Sequence, residues 1–302
     1  MNRRLRIHLF RLFLVAIVAA LPAQLLSQQS APARRVLMWK VTSPTSTMYL
    51  LGSIHVGDRT MYPLPQQVEA AFAGSKALVV EINVKNMDAI KALSLVQKYG
   101  MYGDDDSLSK HLSKEDSAAL DEFCNTHSMP RAALEHLKPW VVAVTVIAAD
   151  LQAAGGDANL GIDMHFLNQV KQSQRIEELE TADFQMSLFA AATEQEQQEM
   201  LAMSLKHKEK DIIHKIQDAY FSADADQLLK LAREEQSGPQ SLMKKMVDDR
   251  NVTMAAKLED YLKSKVQYFV VVGALHLVGE KGIARLLKDK GYQVETMAVP
   301  VK

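Results

Sequence analysis

The sequence predicts an α/β (α+β) fold built on a central β-sheet, and two observations carry this prediction. The first is a pattern that occurs twice, at Met48–His55 and at Tyr268–His276. In both copies an apolar run of strand length leads into Gly-x-x-His, and a helical stretch and a second apolar strand follow. The second is the intervening stretch of about residues 85–263, whose apolar spacing is mainly helical. We therefore expect two strand–GxxH–helix–strand units at the two ends of the chain, with a large helical insertion between them.

Composition points to an ordinary globular protein with a leader. The 302 residues are 48% hydrophobic and 24% charged, and the chain is long enough for a sizeable core. Residues 1–27 carry four arginines and no acid around the apolar segment Leu12–Leu21, which is typical of a secretory signal peptide. An uncleaved membrane anchor is the alternative. We expect a linker at residues 28–35 and a single domain at residues 36–302, exported to the periplasm or secreted, that meets a membrane only through an uncleaved signal.

Charge and cysteine content narrow the class further. Beyond the leader no basic tract remains, so we expect no nucleic-acid partner. Cys124 is the only cysteine and lies in a helical pattern, so it cannot form an internal disulfide and is interpreted as a packing residue. The domain is therefore expected to be held together by its core alone.

The first unit begins with a hairpin. Strands are predicted at residues 36–41 and 47–51, because the turn-forming segment Ser43–Ser46 separates two apolar runs. A helix is predicted over Pro65–Ser75, since proline is favoured in a first helical turn. The apolar run Ala77–Ile82 is predicted to be a buried strand.

Glycines and capping residues divide the insertion into helices. Gly100 ends one helix and Gly155-Gly156 ends another, while Ser113 caps the start of a third. The predicted insertion elements are helices at residues 88–99, 113–125, 139–154, about 160–172, 183–215, 224–235 and 239–263, and a strand at 175–179.

The second unit repeats the order of the first. It is predicted as a strand at residues 268–272, a helix at 283–290 ended by Gly291, and a last strand at 292–299. Asp163 and His165 lie near the start of the insertion helix at about residues 160–172, where Asp163 would cap the helix and His165 would lie on its polar side, or either would face the site. The sequence leaves their roles open.

The candidate site follows from the positions of the two histidines. His55 and His276 each come three residues after a glycine that ends a strand-like run. Open α/β sheets bind ligands outside the carboxyl ends of their strands, so adjacent units would bring both imidazoles to one crevice. Glu81 interrupts a buried strand, where a carboxylate is costly unless it is paired, hydrogen-bonded or bound to a metal; an exposed position at the strand end is the alternative. Arg250 and Asn251 supply a cation and an amide shortly before the second unit.

A series of motifs runs along the chain over about residues 37–299. They are Trp39-Lys40-Val41, Tyr49–Asp58, Tyr62–Pro65, Leu78–Glu81, Lys138–Trp140, Gly161–Asp163, Leu179–Thr181, Arg250-Asn251 and Val271–Gly279. In this order they resemble the TraB/GumN family (TraB/PrgY/GumN, Tiki-like superfamily), and within it the GumN-like exported bacterial branch. The second unit departs slightly, because it reads Gly-Ala-Leu-His where Gly-Ala-Gly-His or Gly-x-x-His is expected, but its spacing is intact.

The resemblance implies an α/β domain in which the two GxxH units meet over a sheet. It also implies that His55, Glu81 and His276 are site residues, with Arg250 and Asn251 close by. The animal Tiki relatives are described as metal-dependent proteases acting on secreted signalling proteins. The resemblance therefore implies a peptide or protein substrate.

We accordingly predict a metal-dependent, peptidase-like hydrolase. His55 and His276 would ligate a divalent transition metal (Mn, Co, Zn or Fe), and Glu81 would be a third ligand or the base that activates water. Arg250 would stabilise the developing oxyanion, and Asn251 would orient the substrate or a ligand. Two alternatives stay open: a metal-free, esterase-like hydrolase with a His/Glu acid–base site, and an exported protein that captures a peptide, metal or haem without turnover. The sequence does not indicate an oligomeric state.

Overall fold

The computed structural model of the chain describes residues 34–206, 212–234 and 240–301, which belong to one compact unit. The predicted signal peptide at residues 1–27, with its anchor alternative, lies outside these residues. Within the described ranges, no helix combines the length and the apolar character needed to cross a membrane.

A six-stranded mixed sheet forms the centre of the fold. Its strands are β1 (Arg35–Thr42), β2 (Thr47–Ser53), β3 (Ala77–Val80), β4 (Arg175–Glu178), β5 (Tyr268–Gly273) and β6 (Gln293–Pro300). Their order across the sheet is β4-β3-β5-β2-β1-β6. Neighbours from β4 to β2 pair in parallel, whereas β1 is antiparallel to both β2 and β6. Only β1 therefore runs in the opposite direction, and the carboxyl ends of the other strands open on one edge of the sheet. The predicted α/β class and the sheet built from both ends of the chain are confirmed.

Strand pairing follows from patterns in the sequence. The predicted hairpin of β1 and β2 places Met38 opposite Leu51, and the backbone N–H of Ser43 closes its turn on the carbonyl of Ser46 at 2.9 Å. The continuous apolar runs in β3 and β5 are buried on both faces, as inner parallel strands require. The edge strand β6 is partly exposed and mixes apolar with polar residues.

Helices cover the sheet and build the insertion. Their bounds are α1 Gln66–Gly74, α2 Ala89–Tyr99, α3 Lys114–Thr126, α4 Pro139–Ala153, α5 Ile162–Gln169, α6 Ala182–Ala190, α7 Glu194–Lys206, α8 Ile212–Phe221, α9 Ala225–Glu234, α10 Gln240–Met243, α11 Asp249–Leu262 and α12 Ile283–Asp289. A π-helical turn at Lys244–Asp248 joins α10 to α11. The glycines expected after α4 and α12 are present in the left-handed conformation, with φ of +93° at both Gly155 and Gly291.

The predicted helical region at residues 183–215 is divided in the structure. α6 ends at Ala190 and α7 begins at Glu194, because Thr193 and Glu196 form a capping box between them. Glu196 Oε2 accepts the backbone N–H of Thr193 at 2.8 Å, and Thr193 Oγ1 accepts the backbone N–H of Glu196 at 3.2 Å. Helical periodicity alone does not reveal this boundary. Residues 207–211 of the same region are outside the described part of the chain.

Apolar side chains form two separate cores. The larger core surrounds the sheet and includes the fully buried residues Leu50, Phe166 and Phe269. The second core lies among the helices of the insertion and includes Leu120 and Leu201. The insertion therefore has a core of its own, whereas the carboxyl edge of the sheet is supported by the larger core.

Candidate functional site

The two GxxH motifs pack directly against each other. β2 and β5 are parallel neighbours in which Ser53 is opposite Gly273, so both motifs leave the sheet side by side. A β-carbon on Gly52 would lie only 2.9 Å from the Cα atom of Ala274 in the second motif. A β-carbon on Gly273 would lie 3.4 Å from His55 Nε2 in the first motif. A side chain at Gly52 would therefore collide with the backbone of the second motif, whereas one at Gly273 would touch the His55 ring of the first.

The three predicted central residues converge on one small space beside Gly273. Around the position that a β-carbon of Gly273 would occupy, Glu81 Oε1 lies at 3.2 Å, and His276 Cδ2 and His55 Nε2 both lie at 3.4 Å. The Gly273 N–H donates to Glu81 Oε1 at 2.6 Å, and His276 Nε2 is 3.7 Å from the same oxygen. The end of β5 thus brings one carboxylate and two imidazoles together.

Glu81 is buried, so the alternative of an exposed strand end does not hold. Its Oε2 accepts from Arg250 Nη2 at 2.5 Å and from Gln185 Nε2 at 3.2 Å. Burial raises the pKa of Glu81, but attraction to the protonated forms of His276 and His55 and to Arg250, with the Gly273 amide, outweighs it and holds the pKa below its ordinary value. Glu81 is therefore an ionised carboxylate at neutral pH.

Glu180 is a further member of this network that the sequence reasoning did not assign to the site. Its carboxylate accepts from Arg250 Nε at 3.0 Å and from Nη2 at 2.7 Å, and from Gln185 at 2.9 Å. Glu180 follows β4 much as Glu81 follows the neighbouring strand β3, and its backbone N–H donates to the Glu81 carbonyl at 2.8 Å. An acid after each of two parallel strands is the sequence signal that would have indicated Glu180.

Arg250 faces these carboxylates rather than the open crevice. It is only 7% exposed, and its remaining Nη1 group donates to the Met246 carbonyl of the π-helical turn at 2.8 Å. Burial lowers its pKa, but the hydrogen bond and charge of Glu180 and the charge of Glu81 raise it above the ordinary value. In this arrangement the guanidinium holds Glu81 in place and leaves the Oε1 atom directed at Gly273.

Asn251 fixes the orientation and tautomer of His276. The Asn251 Nδ2 group donates to the Lys281 carbonyl at 2.9 Å, so its Oδ1 faces His276 Nδ1, at 2.6 Å. Because an amide oxygen only accepts, Nδ1 of His276 carries the proton and Nε2 presents a lone pair on the side of Glu81. Burial lowers the pKa of His276 despite the nearby carboxylates, which favours this neutral form.

Asp163 performs the corresponding task for His55. Its Oδ1 lies 3.4 Å from His55 Nδ1 and accepts from Ser53 Oγ at 2.8 Å. The His55 side chain is 61% exposed at the rim of the site. Desolvation by the surrounding protein lowers the pKa of His55, but its hydrogen bonding and attraction to Asp163 outweigh this, so the pKa is raised. Asp163, in the first turn of α5, therefore belongs to the site, whereas His165 pairs with Glu69 at 2.7 Å and stacks on Tyr62.

The donors at this site suit a transition metal in kind, although their spacing is not preformed. In the described parts of the chain, no three His, Cys, Asp or Glu side chains form a ready metal-ligand cluster. Both imidazoles nevertheless turn Nδ1 to an oxygen acceptor and leave Nε2 free, as metal-ligating histidines do. The 3.7 Å between His276 Nε2 and Glu81 Oε1 is close to the ~3.4 Å expected between two ligands of a tetrahedral ion. The exposed ring of His55 would have to move to complete a set of three donors.

The fold and site together define a class of α/β protein in which two strand–GxxH units meet over buried carboxylates. Residues 37–296 match the model of the TraB/PrgY/gumN family, and the chain belongs to this family. It is similar to the uncharacterized protein YbaP of Escherichia coli (strain K12), with 25% identity over 244 residues that cover 80% of this chain and 87% of that protein. YbaP of Shigella flexneri matches with the same identity and coverage. No solved structure gives a significant match. The family resemblance predicted from the motifs is confirmed.

Proposed function

We propose that the crevice at the carboxyl edge of the sheet is a metal-dependent hydrolytic site that cleaves peptide bonds, or related acyl bonds, in exported substrates. The observation that carries the proposal is the pair of oriented histidines. His55 and His276 each have Nδ1 directed at a protein acceptor and Nε2 directed at the space beside Glu81. Metal-ligating histidines characteristically have one ring nitrogen held by an acceptor in this way while the other faces the ion.

The charge of the site favours a bound cation. The site holds three carboxylates: Glu81 and Glu180 pair with the guanidinium of Arg250, and Asp163 lies beside His55, so the formal charge is −2 when both histidines are in the neutral, metal-ligating form. Unbalanced charge in a buried site is costly, and a dication would offset it. Imidazole ligands favour Mn, Co, Zn or Fe over Mg or Ca, which prefer oxygen donors.

Each residue has a distinct task in this proposal. His55 and His276 would hold the ion, and Glu81 would use its Oε1 atom as a third ligand or as the base that takes a proton from water. Arg250, itself held by Glu180, fixes the other oxygen of Glu81, and Asn251 keeps His276 in the ligating tautomer. When bound, the ion supplies Lewis-acid polarisation of the scissile carbonyl and acidifies water.

A second candidate is a metal-free hydrolase, and the pairing of His55 with Asp163 favours it. A carboxylate at Nδ1 orients an exposed imidazole as a general base, and this needs no third ligand. Capture of a peptide, metal or haem without turnover is the remaining alternative, and it requires no base to activate water. For all three, the signal-like composition of residues 1–27 leads us to propose export to the periplasm or secretion.

The first test is metal content. We expect the purified chain supplied with Mn, Co, Zn or Fe to retain about one equivalent of one ion by elemental analysis, and His55→Ala and His276→Ala to lose it with an unchanged circular dichroism spectrum. His136→Ala, an exposed histidine on the insertion, is the matched control and should retain the ion. If the wild-type chain binds none of the four metals, the metal-dependent proposal fails and peptide or ester cleavage without metal becomes the decisive assay.

A further inference from the structure

Helix α6 is apolar in sequence yet has no fully buried residue. It reads Ala-Asp-Phe-Gln-Met-Ser-Leu-Phe-Ala over residues 182–190, and all of its apolar side chains remain partly accessible. An apolar helix of a globular protein normally buries one face completely. Part of α6 is therefore accessible to something other than the core of this chain.

Gln185 shows which side of α6 faces the site. Its Nε2 group donates to Glu81 at 3.2 Å and to Glu180 at 2.9 Å, so this side chain extends to the buried carboxylates. At about 100° per residue, Leu188 lies about 60° and Phe184 about 100° from Gln185, both in the same rotational sense. Leu188 and Phe184 therefore continue one side of the helix outward from Gln185.

The flank of α6 on the opposite rotational side of Gln185 is already occupied, because Phe189 lies about 40° and Met186 about 100° from Gln185 in that sense. Met186 and Phe189 pack against the core of the insertion, and Phe189 stacks on Trp140 with ring centroids 5.3 Å apart. Leu188 is half-buried but packs against neither core, and Phe184 is 39% exposed. Single exposed apolar residues are common and need no explanation. These two differ because they adjoin a side chain that is hydrogen-bonded to Glu81.

We propose that Leu188 and Phe184 form an apolar wall that receives an apolar side chain or acyl chain of the substrate next to the bond to be cleaved. This inference rests on the proposed hydrolytic function and names its substrate class. Ligand sites typically combine a few fixed polar groups with an apolar lining, and here Glu81, Glu180 and the histidines would be the polar part. Leu188 and Phe184 thereby determine specificity and take no part in the chemistry.

The charge of the site supports the same substrate class. In the metal-free protein used for the binding measurement, Glu81, Glu180 and Asp163 outnumber the one guanidinium of Arg250, so an acidic side chain placed beside the wall is repelled. An apolar residue meets no such repulsion and loses apolar surface to the wall. Substrates with Leu, Phe or Met beside the cleaved bond are therefore preferred over those with Asp or Glu.

The test uses a library of N-acetylated hexapeptides with one varied position, measured in two independent ways. Retention on the immobilised full chain in EDTA reports binding without turnover, and cleavage with added metal reports hydrolysis. We expect peptides with Leu, Phe or Met to be retained about tenfold better than those with Asp, the order of magnitude of burying one apolar side chain. Leu188→Ser and Phe184→Ser, made singly, should each remove most of this preference.

Val144→Ser is the matched control, because Val144 is another exposed apolar residue, 41% accessible, on α4. It should leave the preference unchanged. The wall is disproved if wild type shows no apolar enrichment, or if both single variants, folded by circular dichroism, keep it. The two assays distinguish failure of the wall from failure of the hydrolytic function. Retention of apolar peptides without cleavage would refute hydrolysis and support the wall. Cleavage without a preference for apolar peptides would support hydrolysis and refute the wall.

Discussion

At the scale of single residues, the two motif glycines have different physical reasons to be glycine. Gly52 lacks room for a side chain because the backbone of Ala274 is 2.9 Å from where its β-carbon would lie. At Gly273 the nearest atoms belong to the side chains of Glu81, His276 and His55, at 3.2–3.4 Å. Gly273 has a φ of −48°, so its conformation does not demand glycine. The first glycine thus serves the fold, and the second keeps the site open.

Alanine should therefore impair the site at Gly273 and the stability of the fold at Gly52. Gly273→Ala is expected to leave the melting temperature within a few degrees of wild type while reducing metal retention and any hydrolysis at least tenfold, because the methyl group enters the space where the three side chains converge. Gly52→Ala is expected to destabilise the fold by about 1–3 kcal/mol, since a packed backbone must shift. Thermal unfolding and elemental analysis of both variants test this. Full metal retention by a folded Gly273→Ala protein would mean that this space is not the site.

Some site residues can be assigned to the site from a local sequence motif, and others cannot. His55 and His276 could be found because each stands at a fixed distance from a strand-ending glycine. Glu180 and Asp163 could not be assigned, because their meaning depends on packing between distant segments: Glu180 meets Arg250 70 residues later, and Ser53 meets Asp163 110 residues later. Arg250 was found as a candidate, but its orientation towards two carboxylates depends on the same long-range packing.

At the scale of elements, a histidine holds the start of α7 to the loop before α3. His111 Nδ1 is 2.5 Å from Glu194 Oε1, and Nε2 is 2.9 Å from both oxygens of Asp106. Its ring stacks on Tyr102 with centroids 4.6 Å apart. Since both ring nitrogens face carboxylates, both act as donors and the imidazolium form is favoured. The hydrogen bonds to Glu194 and Asp106 raise the pKa of His111, against the opposing effect of burial.

This histidine should make stability depend on pH in a defined direction. A folded-state pKa above the unfolded value of about 6.5 adds stability that is complete below pH ~6.5 and is lost as pH rises through the folded-state pKa. The pKa of Asp106 is lowered by its hydrogen bond to His111, so its contribution is lost only in acid, as pH falls through the lowered value. We expect the loss of melting temperature caused by His111→Gln to be largest near pH 5–6 and to shrink towards pH 9. His111→Arg, which keeps the charge, should show a nearly constant difference, and a His111→Gln deficit that grows with pH would contradict the linkage.

At the scale of the whole molecule, the sequence predicted the arrangement of the two strand–GxxH units at the ends of the chain better than the packing of the helical insertion between them. The duplicated strand–GxxH pattern was enough to place β2 and β5 side by side, because apolar strands with short connections to helices form parallel sheets. Within the insertion, helical periodicity located most helices. It did not show that they enclose a separate core, nor that one helix ends and the next begins around Thr193. Which helices share a core is decided by long-range packing, and a one-dimensional pattern does not contain that information.

Because the protein has two separate cores, we expect the insertion and the region around the sheet to unfold locally and independently. Leu201 in α7 and Leu258 in α11 are both fully buried, the first in the core of the insertion and the second in the core around the sheet. Truncation of either to alanine should cost about 2–5 kcal/mol of unfolding free energy, and the two losses should add in the double variant because the residues share no core.

Leu201→Ala should speed amide hydrogen exchange in α3, α4 and α7 while β2, β3 and β5 stay protected. Leu258→Ala should instead expose β2 and β5, which His55 and His276 follow, and with them the site, because α11 also supplies Arg250 and Asn251. Equal acceleration throughout the chain by Leu201→Ala would show that the insertion and the sheet unfold as one unit, and the site would then depend on the packing of the insertion as much as on that of the sheet.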